Sequence, residues 1–102
     1  MKTTIALIAA LAMTTPAYAQ DEPTAEEWCA QIALMAESMM KARQGGVSLQ
    51  TVLDIVAENM PSARDLVIAA WDEPRYSTPQ IQQRIIGDFR DRAHLDCLRG
   101  NT

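Results

Sequence analysis

An all-α fold is what this sequence predicts: a small four-helix domain in which two long antiparallel helices are tied by a disulfide and two short helices pack against them. Three observations carry that expectation. Apolar residues recur at three- and four-residue spacings from Cys29 to Cys97, with no strand-like alternation. Capping residues, glycines and prolines cut this pattern into four segments. The two cysteines stand near the start of the first segment and at the end of the last.

The chain opens with Lys2 as a positive n-region, an apolar run from Ile5 to Met13, and Ala17-Tyr18-Ala19 as a small-x-small cleavage site. A signal peptide over residues 1–19, cleaved after Ala19, is expected, with a single small helical domain over 20–102. The apolar run is shorter than the ~20 residues a spanning helix requires, and Pro16 interrupts its end, so no membrane insertion is expected after cleavage.

Helix one is expected from about Ala25 to Gln44. Thr24 and Glu27 have capping-box spacing at its head, and Cys29, Ile32, Ala33, Ala36, Met39 and Met40 form its apolar stripe. Gly45 and Gly46 end it, and Lys41 and Arg43 suit the negative end of the helix dipole. Ser48 caps a short second helix carrying Leu49, Val52, Leu53, Val56 and Met60, which Pro61 stops.

Ser62 with Asp65 repeats the capping-box spacing before a third helix lined by Ala63, Leu66, Val67, Ala70 and Trp71, ending before Pro74. In the last connection, "EPRYSTP", Thr78 is the expected cap and Pro79 the first helical residue. Ile81, Ile85, Phe89, Ala93 and Cys97 then step by four along the final helix, which closes near Gly100.

Export places Cys29 and Cys97 in an oxidising compartment, where one intramolecular disulfide is expected. The spacing is not the Cys-x-x-Cys of a redox site, and two distant cysteines with His94 are too few ligands for zinc. Closing a loop of 68 residues confers about 4 kcal/mol in the chain-entropy model, a large share for a small domain.

Composition restricts the function classes. Without Lys2, eight basic residues face thirteen acidic ones, a balance of −5 with no basic stripe for phosphate, so no nucleic-acid partner is expected. His94 is the only histidine and has no free thiol to activate, while the serines and threonines serve mostly as caps. The expectation is a protein that is not an enzyme and binds no metal or other cofactor.

A binding surface is the remaining candidate. Met35, Met39 and Met40 cannot all point inward from one narrow stripe, so Met35 and Met40 are expected at an exposed edge beside the basic end at Lys41 and Arg43. Arg75 and Tyr76, in the last connection, are residue types enriched at binding hot spots. The structural alternative is that methionine fills the core, Tyr76 packs over Trp71 or Phe89, and Arg75 pairs with Asp72.

The Cys near the start of the domain, "MMKARQGGVS", "EPRYSTPQ" and "DFRDRAHLDC" together resemble small exported bacterial helical proteins that sometimes accompany prophage genes. That resemblance spans nearly the whole expected domain and implies no activity and no site residue. In architecture alone the chain also resembles periplasmic acid-activated chaperones, which are small, acidic and helical, have one disulfide, and carry a Trp shortly before the first Cys, as Trp28 stands here. The chaperones' cysteines enclose a shorter segment.

The expected function is therefore a periplasmic or secreted interaction module, an inhibitor or modulator acting on an envelope or phage-related protein. An acid-stress chaperone and a small structural protein without a ligand site are the alternatives. Sequence sets neither the partner nor the oligomeric state. Intact-mass measurement of the exported protein is expected to give a chain starting at Gln20 with no free thiol; a retained leader or two reduced cysteines would overturn the export argument.

Overall fold

A computed structural model describes residues 22–100, which form four α-helices and one 3-10 turn, with no strand among them. The expected leader and its cleavage site lie outside the described residues. None of the described helices is long and apolar enough to cross a membrane.

Helix α1 (Ala25–Gln44) begins at the expected capping box: the Glu27 amide donates to Thr24 Oγ1 and the Thr24 amide donates to Glu27 Oε1, each at 3.0 Å. It ends in a Schellman turn. Gly46, at φ +89°, donates to the Arg43 carbonyl, and Val47 donates to that of Ala42. Gly45 keeps right-handed helical geometry, so only the second glycine of the pair serves the left-handed position.

Helix α2 (Leu49–Asn59) starts where Ser48 Oγ accepts the Thr51 amide at 3.1 Å, and turns Val52 and Val56 inward. The expected Ser62–Asp65 capping box is absent. Pro61 instead opens a 3-10 turn, Pro61–Ala63, in which the Ala63 amide donates to Met60 and the Arg64 amide to Pro61. Ser62 thus falls inside a turn, and α3 (Arg64–Trp71) begins after it with Ala63 in the cap position and no side-chain cap.

Helix α4 (Pro79–Leu98) has Pro79 in its first turn, where a missing N–H costs nothing. Thr78 occupies the cap position, but its side chain makes no cap bond. The buried face of α4 is Ile86, Phe89, Ala93 and Cys97, while Ile81 and Ile85 are half-buried. Ile86 joins this face although a strict four-residue step omits it.

Helices α1 and α4, twenty residues each, share the largest contact in the fold. Cys29 and Cys97 are disulfide-bonded, with Cα atoms 5.5 Å apart. Helix α3 packs on α1, and α2 packs on α3 and the 3-10 turn. Ala36, Met40, Val67 and Ala70 are completely buried where α1 meets the α2–α3 pair, with Val52, Val56, Ile86 and Phe89 around them.

Met40 is therefore not at an exposed edge: at 0 % exposure it is among the largest fully buried side chains. Met35 is half-buried and packs against the core. Met40→Ala is expected to cost about 2–5 kcal/mol in urea denaturation, because the deleted side chain leaves a cavity between packed helices. Met35→Ala should cost clearly less; equal losses would contradict the placement of Met40.

Candidate functional site

The two ends of the α1–α4 pair present different chemistry. At the end where α1 stops, the connection from α3 to α4 is bound to Gln44, a polar residue only 2 % exposed. Gln44 Nε2 donates to the Pro74 carbonyl at 2.9 Å and contacts Met40 Sδ at 3.5 Å. Its Oε1 accepts the Tyr76 amide at 2.8 Å. The Gln44 backbone carbonyl accepts from Arg75 Nε at 3.1 Å and from Gln82 Nε2 at 3.4 Å, and Gln82 Nε2 also donates to the Tyr76 carbonyl.

Arg43, Arg75 and Tyr76 of the sequence-nominated residues lie around this hub. Arg43 Nε donates to the Glu73 carbonyl at 2.9 Å. Arg75 lies over Gly46, where an added Cβ would come within 3.1 Å of Nη2, so the glycine leaves room for the guanidinium as well as taking the positive φ. The expected Arg75–Asp72 pair is not among the ion pairs of the described residues. Tyr76 is half-buried and held by its backbone, and Lys41 is exposed, 3.7 Å from Glu37.

A recess of about 340 Å³ lined by Arg75, Tyr76, Ser77 and Gln82 opens on this side. The hydrogen bonds of Arg43, Arg75 and Tyr76 build the loop beneath it. The structure thus separates the nominated residues: Met40 is core, Arg43, Arg75 and Tyr76 hold a connection in place, and Lys41 is solvated.

The disulfide end carries a larger groove, about 510 Å³, that those nominations omit. Trp28 and Ile32 of α1 form one wall, Leu66 and Ala69 of α3 the opposite one, and Ala63, Ala93 and Met60 complete its apolar lining. Ser62, Asp65 and Asp96 supply its polar groups. Trp28 remains 41 % exposed although most of its surface is aromatic carbon, and it adjoins Cys29 as Asp96 adjoins Cys97.

Neither Asp65 nor Asp96 has an ion-pair or side-chain hydrogen-bond partner among the described residues. Asp91, also on α4, is engaged. Arg90 Nε donates to Asp91 Oδ1 at 2.9 Å, a hydrogen bond that, with the guanidinium charge, holds the Asp91 carboxyl below its usual range. The same hydrogen bond and the Asp91 charge raise Arg90, which also lies 3.9 Å from Glu37. Arg92 reaches Glu73 at 3.6 Å.

The groove is suited to recognition: a concave apolar surface with a few polar groups at its margin. Among the described residues no three histidine, cysteine or carboxylate side chains converge to hold a metal ion. In sequence, Trp28 and Ile32 were visible as an i, i+4 apolar pair on α1; the opposing wall depends on how α3 packs. No family model, curated protein or solved structure matches the chain.

Replacing Gln44 with Leu keeps the bulk and strands the Pro74 carbonyl and the Tyr76 amide. A loss of about 2 kcal/mol or more in denaturant unfolding is expected, together with faster hydrogen exchange at the Tyr76 amide. Unchanged exchange would show that Gln44 is not what secures the connection.

Proposed function

We propose that this chain is a non-enzymatic interaction module working in the periplasm or outside the cell, an inhibitor or modulator whose partner is an envelope or phage-related protein. In this reading α1 and α4 run antiparallel as a rigid pair, and the groove beside Trp28 is the recognition surface. The antiparallel arrangement is supported by links at both ends: Cys29 near the start of α1 bonds Cys97 near the end of α4, and Gln44 at the end of α1 accepts from Gln82 near the start of α4. The leader-like front end and the paired cysteines support the location.

The observation that carries this reading is the groove itself. Its volume of about 510 Å³ lies within the range of small-ligand sites, and its lining from three helices is held beside the disulfide. It leaves a tryptophan half in water at a place where a partner's side chain would cover it.

The acid-stress chaperone remains the second reading, favoured by apolar side chains already exposed at Leu34 and Ile55, 62 % and 55 %. In acid, thirteen carboxylates lose their charge while the basic groups keep theirs, and self-repulsion loosens packing. That reading requires suppression of client aggregation at the pH where near-UV dichroism falls.

Ala69→Arg places a long charged side chain in the groove from an exposed position. It is expected to abolish binding to a partner recovered from periplasmic extract while leaving the melting temperature within a few degrees, whereas Ile55→Arg, outside the groove, should leave binding intact. Loss of binding with Ile55→Arg but not Ala69→Arg would move the surface to α2. Aggregation suppression in acid by both variants would favour the chaperone.

A further inference from the structure

Building on the groove as the recognition surface, we propose that its occupant is a polypeptide segment with large apolar side chains on one face and lysine or arginine beside them, a cationic amphipathic helix of the partner. Asp65 and Asp96 set the charge of the occupant. These carboxylates come from different helices, α3 and α4, border one apolar surface, and have no cationic partner among the described residues. An apolar group entering alone would bring both charges closer to low dielectric without compensation. A flanking cation on each side turns that cost into attraction.

The lining adds a second contribution. Trp28 offers an aromatic face at the margin, and a lysine or arginine passing over it gains a cation–π contact. The wider charge has the same sign, since the expected mature domain carries −5 and draws in a basic segment over a longer range. An acidic or purely apolar segment receives neither benefit.

The shape favours a chain over a small cation. Trp28 and Ile32 are one helical turn apart, and Met35 continues their row along α1; Leu66 and Ala69 form a second row on α3. Two rows of this kind receive apolar side chains spaced three or four apart on an incoming helix, with charges on its flanks reaching the rim.

The test uses the full oxidised chain after leader removal and a fluorescently labelled synthetic peptide of about 14 residues, with leucine and phenylalanine on one helical face and lysine on the flanks. Saturable binding by anisotropy, weakened by added salt, is expected. The same peptide with glutamate in place of lysine should not bind, a comparison that needs no altered protein. Asp65→Asn with Asp96→Asn is expected to weaken the lysine peptide about tenfold and to flatten the salt dependence.

Equal binding of the lysine and glutamate peptides, both lost with Ala69→Arg, would overturn the cationic assignment and leave the groove as the recognition surface. Binding of the lysine peptide that survives Ala69→Arg would remove the groove as its site. Tryptamine competing at the peptide's own affinity would assign the pocket to a small aromatic cation and defeat the polypeptide proposal. Failure of the lysine peptide to bind at low salt would also overturn it.

Discussion

The bond between Cys29 and Cys97 is the constraint on which the rest of the structure depends. Its 68-residue span encloses every helix junction in the fold. A domain this small buries a modest core, in which many members are alanine or valine, so hydrophobic burial alone leaves a narrow margin over chain entropy. The cross-link narrows that gap by restricting the unfolded chain. It also fixes where α1 meets α4, and the neighbours of the two cysteines, Trp28 and Asp96, both line one groove.

At the far end of the helix pair a polar device replaces the covalent one. Gln44 is buried, and its side chain satisfies a carbonyl and an amide of the connection while its own carbonyl takes two further donors. A buried amide is tolerated only when its donors and acceptors are used, and here they pin a connection that has no helix or strand of its own. Arg43, Arg75 and Tyr76 are drawn into this hub. The Arg43 and Arg75 side chains and the Tyr76 backbone bind the chain itself here.

The contrast between the two ends bears on function. One end has its connection tied down through Gln44. The other keeps an apolar concavity bordered by Asp65 and Asp96, which have no ion-pair partner among the described residues. The proposed role in binding rests on the groove, an apolar concavity lined from three helices that leaves Trp28 41 % exposed.

Sequence by itself determined the helices wherever the governing interactions are local. The Thr24–Glu27 box, the Gly45-Gly46 pair, Ser48 and Pro79 act within one turn of their own residues, and they set the limits of α1 and the starts of α2 and α4. Ser62 misled because Pro61 favours a 3-10 turn that absorbs the residue meant to cap. Tertiary structure alone decided the rest. Met35 and Met40 are the same residue type on one helix, and which is buried depends on where α3 lies against α1; Gln44 extends the Ala36–Met40 row by four, yet its burial depends on a connection thirty residues away. The groove has walls from helices far apart in the chain, and no local pattern encodes their meeting, since helical periodicity fixes which face is apolar but not which neighbour covers it.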